Sequence, residues 1–441
     1  MRGFWKSAAT SAALSALFLV VYGGCNFLAS RRSDVGSFYF SWERHMPFVP
    51  ALILPYMSID LFFVGAPFLA RSDRERQVLA ARITLAILLA GVCFLLFPLK
   101  FAFERPHVDG VLGVIFNNFR TVDRPFNQCP SLHIALCIIL IDIYNRHTRG
   151  HLRGLLAVWF VLIAVSPLLT YQHHFIDVIG GFLLAAICFH LCGEQPLRQP
   201  FVPNRRIAIY YAVGAAVLLA LAFAWMPWSG LLLWPAFSAG FASAGYLFLG
   251  PGIYRKENGA ISWTPWVLMW PVLLGQRFSL WHYARQCRPY DCVTDRLWIG
   301  RRLSGREATE IQGAGVTAVI DLAGEFSEPL TLRNLAYVQL SILDLTPPTT
   351  EQTKQAIAFI KANAERGIVY VHCKIGYSRT AAIAGAYLID SGEAETARDA
   401  LAMLRRARPS IIVRPEAVKA LENFQIRREI AVGKLVERLK L

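Results

Sequence analysis

The sequence predicts a polytopic all-α membrane bundle of about eight transmembrane helices, followed by a soluble α/β domain. Three observations lead to this prediction. The 441-residue chain is 55% hydrophobic and only 17% charged, which is too apolar for an ordinary soluble protein. Its long apolar runs are concentrated before about residue 250. After about residue 285, a normally charged sequence alternates strand-like and helix-like segments.

The apolar runs approach the ~20 residues that cross a bilayer. The predicted spans are about 7–28, 47–70, 78–99, 131–146, 152–171, 175–194, 207–227 and 229–250. The fourth is short and carries Asp142, so its limits are the least defined. A signal peptide is the alternative for the first span, but the spans that follow it favour a membrane helix.

The distribution of basic residues in the loops predicts a cytoplasmic N-terminus, because positive charge accumulates on that side. Eight spans then leave the C-terminal domain in the cytoplasm. The aromatic-rich stretch 262–283 is the alternative ninth span, which would place that domain outside. We expect this stretch to lie in the membrane interface instead, because it has four tryptophans and two internal prolines.

This pattern divides the chain into three parts. They are a membrane domain over 1–250 with its core at about 45–195, an interfacial aromatic-rich linker over 251–289, and a soluble domain over 290–441. The net charge of +15 is also compatible with nucleic-acid binding, but the cations flank apolar segments instead of forming a stripe. We therefore expect a bilayer as partner and no nucleic acid. No protein partner is predicted.

The nine cysteines are scattered, and several lie inside apolar runs, where a free thiol behaves as a small hydrophobe. Cys287 and Cys292 have no matching second pair, so the spacing does not indicate a zinc site. No metal or other cofactor is expected.

Three polar clusters fall on the outer side of the predicted bundle at similar depth. The first contains Lys100 and Arg105, the second Arg124, Asn127, Ser131 and His133, and the third His173, His174 and Asp177. Two cations can hold a phosphate dianion, one histidine can attack phosphorus, and a second can protonate the leaving oxygen. Single interfacial Arg and His residues are more often membrane anchors, but ionisable groups gathered at membrane depth favour a functional site.

These clusters resemble the motifs of the type 2 phosphatidic acid phosphatase superfamily over about residues 45–195. The corresponding segments here are Lys100-x4-Arg105-Pro106, Pro130-Ser131-Leu132-His133 and His173-x3-Asp177. The resemblance implies that His173 is the nucleophile, His133 the general acid and Asp177 the residue that orients His173. It also implies that Lys100, Arg105 and Ser131 bind phosphate.

The membrane half departs from that family in three places. The first motif is two residues short, Leu132 replaces a glycine, and Ser166-Pro167 replaces Ser-Arg, so that Arg124 or Arg120 would supply the missing cation. The segment from Asp123 to His133 resembles inositol phosphorylceramide synthases, which transfer a phospho-headgroup to an alcohol. Hydrolysis and transfer therefore both stay open.

The sequence of the soluble half predicts an α/β sandwich around a mostly parallel sheet. Strands are predicted at "RLWIG", "VTAVIDL", "LAYVQLSIL" and "GIVYVHC". Helices are predicted at 304–307 and beyond, 350–365, 378–392, 394–407 and 415–438. The segment "VHCKIGYSRTA" thus lies between a buried strand and a helix.

A strand-to-helix loop of this kind binds anions, because its backbone N–H groups and the helix dipole favour negative charge. Cys373 in that loop can act as a thiolate nucleophile, and Arg379 can bind phosphate with two parallel hydrogen bonds. Gly376 permits the tight turn, and Thr380 can hydrogen-bond the leaving sulfur. Asp344, at the end of an upstream strand, is the candidate general acid. A buried structural cysteine does not explain this combination.

The segment resembles the signature of the protein tyrosine and dual-specificity phosphatase superfamily, His-Cys-x2-Gly-x2-Arg-Ser/Thr, over about residues 290–425. The matching residues are His372, Cys373, Gly376, Arg379 and Thr380. The resemblance implies a phosphocysteine on Cys373, phosphate binding by Arg379 with Lys374, Gly376 and Ser378 in the same loop, and Asp344 as acid. Lys374 resembles lipid-acting members, whereas Tyr377 favours a substrate with a single phosphate.

The two halves together resemble bacterial fusions of these families in the cytoplasmic membrane. The leading hypothesis is a phosphatase for phospholipid phosphomonoesters, with a histidine site outside and a cysteine site inside. The first alternative is a headgroup transferase whose product the cysteine domain clears. The second is a protein phosphatase anchored by a degenerate membrane half.

Overall fold

A computed structural model of the chain describes residues 2–225 and 228–439. The chain divides into two compact units, Met1–Gln195 and Pro196–Leu441. The first unit is helical, and the second combines further apolar helices with a five-stranded sheet. A helical region followed by a sheet-containing domain confirms the coarse fold class.

The first unit contains seven α-helices among its described residues. They are α1 (Arg2–Ala29), α2 (Ile53–Leu69), α3 (Asp73–Leu96), α4 (Gly110–Val122), α5 (Leu132–His147), α6 (Gly150–Leu169) and α7 (Phe175–Leu191). Helix α5 is central, because it contacts α2, α3, α6 and α7. Its buried aliphatic side chains, such as Ile139 and Leu140, join the core that these helices share. Helix α4 was not predicted from the sequence.

Asp142, the charged residue in the predicted fourth span, is paired on both sides. Arg82 on α3 approaches its carboxylate at 3.0 Å, and Arg146 one turn later on α5 approaches it at 3.1 Å. Charges in apolar helices are usually compensated in this way. The pairing explains why α5 can be the centre of the bundle despite its lower hydropathy.

The second unit begins with four helices and a small hairpin. These are α8 (Arg205–Ala224), α9 (Leu233–Ala244), β1 (Lys256–Glu257), β2 (Ala260–Ile261), α10 (Trp263–Leu268) and α11 (Trp270–Ala284). A π turn at 245–249 and a 3-10 turn at 250–254 connect α9 to the hairpin. Trp234 on α9 donates to the Val267 carbonyl of α10 at 2.9 Å, which joins the two segments.

The sheet domain follows. Its strands are β3 (Tyr290–Cys292), β4 (Leu297–Arg301), β5 (Val316–Ala323), β6 (Ala336–Ile342) and β7 (Ile368–Cys373). Its helices are α12 (Gly305–Gly313), α13 (Leu330–Arg333), α14 (Thr350–Ala364), α15 (Ser378–Ser391), α16 (Ala397–Ala407) and α17 (Pro415–Leu439). The sheet order is β3-β4-β7-β5-β6, and only the β3–β4 pair is antiparallel.

Strand β7 lies at the centre of the sheet, and its carboxyl end delivers Cys373 into a loop. Helix α15 starts directly after that loop and is buried along most of its length, from Arg379 to Ile389. It ends at Gly392, whose positive φ of 84° suits a helix terminus. The central strand and the buried helix together fix the loop between them.

Helices occupy all eight predicted span positions, but not all are equally suited to a bilayer. Of the described helices, six are long and apolar enough to cross one: Gly3–Ala29, Pro50–Leu69, Asp73–Leu96, Gly150–Leu169, Arg205–Ala224 and Ser229–Tyr254. Helix α7 is apolar but shorter. The count of eight therefore stays a prediction. Residues 226 and 227, at the end of the predicted seventh span, lie outside the described residues.

Candidate active site

The loop between β7 and α15 wraps closely around the Cys373 sulfur. The Gly376 backbone N–H donates to Sγ at 3.3 Å, and Cys373 is almost completely buried. Gly376 has φ of +78°, and a Cβ atom there would come within 2.4 Å of the Gly300 backbone on β4. Both features require glycine, so the residue at this position shapes the loop around the thiol.

Arg379 projects from the first turn of α15 and is held on three sides. Its guanidinium donates to both oxygens of Glu325 at 2.6 and 3.1 Å and to the Ile342 carbonyl at 2.8 Å. A further bond of 3.1 Å reaches Asp344 Oδ1. Burial disfavours the charged form, but the two carboxylates outweigh it and raise the pKa of Arg379 well above its ordinary value. The side chain is thus a fixed cation beside Cys373.

Asp344 follows β6 and lies between two cations. Besides Arg379, it pairs with Lys374, whose ammonium also donates to Gln276 of α11 at 2.9 Å. Burial by itself would raise the pKa of Asp344, but Arg379 and Lys374 dominate and bring it to about 2. In this structure Asp344 is therefore an ionised carboxylate held at the mouth of the loop.

These groups line a cavity of about 110 Å³. Its walls include the predicted residues Asp344, Cys373, Lys374, Ser378 and Arg379, and Tyr377, which the sequence had linked to substrate choice. They also include Tyr283, Ile412 and Arg414, which the sequence did not indicate. The size and the cationic lining suit a phosphoryl group with part of its leaving group.

Two predicted residues of the loop have other contacts. The Ser378 hydroxyl donates to the Ile412 carbonyl at 3.0 Å and accepts from the Arg414 N–H at 3.0 Å, so it fixes the loop before α17. Thr380 is fully buried, and its hydroxyl has no protein partner among the described residues. The predicted bond from Thr380 to sulfur is not formed in this structure.

Behind the cysteine lies a buried charged cluster that the sequence did not indicate. His372 Nε2 lies 3.6 Å from Glu328, and Lys256 of the β1–β2 hairpin pairs with Asp321 on β5. Lys256 Nζ also donates to the Ala323 carbonyl at 2.6 Å. The hairpin that precedes the sheet domain thus supplies one of the cluster's positive charges.

In the first unit, the loop before α7 brings His173 and Asp177 together. His173 Nδ1 lies 3.5 Å from Asp177 Oδ2, and both side chains are buried. Asp177 also accepts from the His174 N–H at 2.8 Å, which caps the start of α7. Its backbone carbonyl accepts from the Ser131 N–H at 2.9 Å, so Ser131 lies next to the start of α7, close to Asp177.

His133 lies in the first turn of α5, with its ring stacked on Tyr56 at 4.3 Å between centroids. Its Nε2 atom is buried and has no protein partner among the described residues. His133 and His173 are close enough for their charges to interact. Two histidines, one of them beside a carboxylate, therefore share one region of the helical unit.

The three predicted phosphate-binding cations are placed differently. Arg105 is close to the half-buried Asp123, with which it interacts electrostatically. Arg124 donates to the Ser30 hydroxyl at 2.9 Å near the surface. Lys100 is exposed, and its side chain makes no hydrogen bond within the described part of the chain. Of the three, Arg105 is the one held inside the unit.

His174, the neighbour of His173, has a structural role that the sequence did not reveal. Its Nε2 accepts from the Ala102 N–H at 3.0 Å, so Nδ1 carries the proton and donates to Glu43 at 2.9 Å. Phe101 stacks on the ring at 4.3 Å. Glu43 also accepts from the Phe175 N–H at 3.1 Å, and these bonds tie two long loops to the start of α7.

Each half of the chain matches a known protein family. Residues 52–191 match the PAP2 superfamily, and residues 297–427 match the dual specificity phosphatase catalytic domain. The second match begins at β4 and includes Cys373 and Arg379, and the first includes His133, His173 and Asp177.

Relatives of the second half include mouse dual specificity protein phosphatase 19, which is 32% identical over 30% of this chain and 60% of its own length. The Arabidopsis thaliana phosphatidylglycerophosphate phosphatase PTPMT2 is 28% identical over 36% of this chain and 72% of its own. The Schizosaccharomyces pombe tyrosine-protein phosphatase CDC14 homolog is 31% identical over 37% of this chain. The chain spans less than two thirds of the mouse relative and 28% of the yeast one.

Among solved structures, PTPMT1 aligns with 23% identity and a TM-score of 0.30 over 33% of this chain and 99% of that chain. Tk-PTP in its active form aligns with 25% identity and a TM-score of 0.30 over 32% of this chain. The family matches, each on the half that carries the corresponding residues, show that this chain is a fusion of a PAP2-superfamily domain with a dual-specificity phosphatase domain.

Proposed function

We propose that this protein is a membrane-bound phosphatase that hydrolyses phosphomonoesters of phospholipids or related lipid intermediates. The observation that carries the proposal is the loop at Cys373, where sulfur, a fixed Arg379 cation and the Asp344 carboxylate line one cavity. The cysteine site is the centre of the reaction, and the histidine site is a second phosphate site.

The first step is attack of the Cys373 thiolate on phosphorus while the phosphoryl oxygens bind Arg379 and the loop N–H groups. Asp344 Oδ1 accepts one Arg379 N–H that a phosphoryl oxygen would need. The arriving dianion therefore separates this pair and raises the pKa of Asp344, so that the carboxyl group can carry a proton.

The S–P bond forms as the ester O–P bond breaks, and Asp344 gives its proton to the leaving alkoxide. The products of this step are an alcohol and a phosphocysteine. Asp344, now a carboxylate, takes a proton from water as the water oxygen attacks phosphorus. Inorganic phosphate and the thiolate are then released, so each turnover consumes one water molecule.

A lipid substrate is supported by the surroundings of the cavity. Tyr283 of α11 lines it, and the neighbouring Phe278 and Trp281 expose about 60% of their surface. Exposed aromatic side chains on a helix attached to apolar helices are typical of a membrane interface. The Arabidopsis thaliana relative is named as a phosphatidylglycerophosphate phosphatase, and a mouse relative is named as a phosphatidylglycerophosphatase and protein-tyrosine phosphatase.

For the helical unit, we propose that His173 attacks phosphorus, that His133 protonates the leaving oxygen, and that Asp177 orients His173. Arg105 and Ser131 would bind the phosphate, with Lys100 and Arg124 available from the surface. In the predicted topology this site faces outward, in a multi-pass protein of the cytoplasmic membrane, and the cysteine site lies in the cytoplasm.

Two other functions have specific support. The segment from Asp123 to His133 favours transfer of a phospho-headgroup to an alcohol instead of to water. The mouse relative, named as a dual specificity protein phosphatase, favours a protein substrate for the cysteine site. The first alternative predicts a different product, and the second predicts a different substrate.

The test is an assay of the full chain in phospholipid vesicles with a lipid phosphomonoester, with and without an alcohol acceptor. We expect phosphate release that Cys373→Ser lowers by at least about a hundredfold, since the nucleophile is lost. Cys292→Ser, at an exposed cysteine, is the matched control. His173→Ala and the exposed control His107→Ala report on the second site.

Three results of this assay would contradict the proposed function. Net transfer to the alcohol that disappears in His173→Ala would support the transferase. Turnover of phosphopeptides without turnover of lipids would support the protein phosphatase. Unchanged lipid hydrolysis in Cys373→Ser would show that the cysteine site is not the centre of this reaction.

A further inference from the structure

The short loop that carries Asp344 receives two hydrogen bonds from residues that precede the sheet domain. Asn204 Nδ2 donates to the Leu345 carbonyl at 2.8 Å, and the Tyr246 hydroxyl donates to the Asp344 carbonyl at 2.9 Å. Both donors contact the backbone of the loop, not the reacting carboxylate. They can therefore fix the position of the Asp344 backbone without taking part in proton transfer.

The two donors lie at the start of one and near the end of the other of the last two candidate membrane helices. Asn204 is the N-cap of α8, where its Oδ1 accepts from the Ile207 N–H at 3.3 Å. Tyr246 lies in the π turn after α9, is buried, and stacks on Tyr211 of α8 at 5.7 Å. The Asn204 N–H donates to the Tyr246 carbonyl at 3.2 Å, so the two residues form one clamp.

The loop needs such support because its backbone is unfavourable. Leu345 has φ of +60°, a left-handed backbone conformation that residues other than glycine, asparagine and aspartate rarely adopt. The Asp344 side chain is also held by Arg379 and Lys374, but a phosphoryl group would compete for those cations. The backbone clamp is the contact that would persist once substrate occupies the cavity.

We propose that Asn204 and Tyr246 are positioning residues for the general acid Asp344, so that the last two membrane helices complete the cysteine site. This inference rests on the proposed function, since it requires Asp344 to protonate the leaving group. A leaving alkoxide such as that of a lipid glycerol needs the proton, whereas an acidic phenol leaves without it. Loss of the clamp should therefore be selective for alkyl phosphates.

The experiment measures kcat of the full chain in phospholipid nanodiscs with p-nitrophenyl phosphate and with an alkyl phosphomonoester. Tyr246→Phe keeps the ring stack and removes the donor, and Asn204→Ser keeps an N-cap and removes the amide. We expect each to lower alkyl phosphate turnover about tenfold and to leave aryl phosphate turnover within about twofold.

The matched control is Ser243→Ala. Its hydroxyl donates to the Ala208 carbonyl at 2.9 Å, so the control removes a bond between the same two helices without touching the acid loop. Asp344→Asn is the reference, because it should show the same selectivity more strongly. Adding Tyr246→Phe to Asp344→Asn should cause no further loss of alkyl phosphate turnover.

The outcomes separate the two claims. If Asp344→Asn does not discriminate between the substrates, the acid role and hence the proposed mechanism is wrong. In a second outcome, Asp344→Asn discriminates between the substrates while Tyr246→Phe and Asn204→Ser lower the turnover of both substrates equally, or lower neither. In that case the positioning role is wrong and the mechanism stands. The same loss in Ser243→Ala would show that helix packing, not the clamp, matters.

Discussion

At the residue scale, the cysteine site is a set of compensated charges. Arg379 is shared between Glu325 and Asp344, and Asp344 is shared between Arg379 and Lys374. Because Arg379 and Asp344 each have two charged partners, a phosphoryl group can replace the contact between them without leaving either ion isolated. The resting ion pairs thus resemble the interactions that the substrate would make.

The effect of Lys374 on Asp344 predicts a shift in pH dependence. Arg379 and Lys374 lower the pKa of Asp344 against burial, so Lys374→Met should raise it. A general acid loses activity as pH rises through its pKa, and the falling limb of kcat should therefore move to higher pH, by about 1 unit. The measurement is a pH profile with an alkyl phosphate. Lys354→Met, at an exposed lysine, is the control. If the falling limb of kcat does not move in Lys374→Met, Lys374 does not lower the pKa of the general acid.

The buried Glu325 should be needed to orient Arg379. Glu325→Gln keeps the shape but loses the charge-assisted pair, and kcat/KM should fall about tenfold or more. Glu307→Gln is a matched control, because Glu307 forms a similar two-oxygen pair with Arg301 outside the cavity. Equal effects in the two variants would mean that the loss reflects stability alone, which thermal unfolding of both proteins would reveal.

At the element scale, the β7 strand, its loop and helix α15 form one continuous unit that carries the proposed cysteine site. The loop is tight because Gly376 passes directly over β4, and the helix is buried because it covers the sheet. Neither end of the loop can move without disturbing the core. Its geometry is therefore set before substrate arrives, as preorganised phosphate binding requires.

Gly376→Ala should damage this unit. The positive φ alone costs about 1–3 kcal/mol for a residue with a side chain, and the added methyl group overlaps the Gly300 backbone. We expect a lower unfolding temperature and loss of phosphatase activity. Gly313→Ala is the control, because a Cβ atom there meets nothing and alanine favours the helix. Full activity of Gly376→Ala would contradict the role of the turn.

The sequence predicted what lies within single segments and missed what depends on packing. Cys373, Gly376 and Arg379 occur together, and strand and helix patterns around them matched β7 and α15. Glu325 and Arg414 come from other loops, and no local pattern linked them to the site. The amphipathic helix α4 was also missed, because it lies in a predicted loop.

At the scale of the whole molecule, six candidate membrane helices are distributed over both compact units. Helices α8 and α9 pack in the same unit as the phosphatase sheet, although the sequence grouped them with the membrane domain. The predicted boundary at residue 250 followed hydropathy, whereas side-chain contacts such as that from Tyr246 to Asp344 depend on the tertiary fold.

The predicted topology can be tested with the exposed Cys292. If the sheet domain is cytoplasmic, an impermeant maleimide should label Cys292 only after the cells are permeabilised. An added cysteine, His107→Cys, in a predicted outer loop should be labelled in intact cells. A reporter fused after residue 285 gives an independent result. Labelling of Cys292 in intact cells would place the cysteine site outside.

The buried Lys256 has a practical consequence for dividing this chain. A fragment that begins at residue 290 would lose the lysine that pairs with Asp321 and the backbone carbonyl that accepts from Gln339 at 2.9 Å. Removing one partner of a buried ion pair costs about 3–5 kcal/mol, a large share of the stability of a small domain. Recombinant expression should therefore succeed better from fragments that start before the β1–β2 hairpin. A cut at the edge of the recognised catalytic domain should yield insoluble protein.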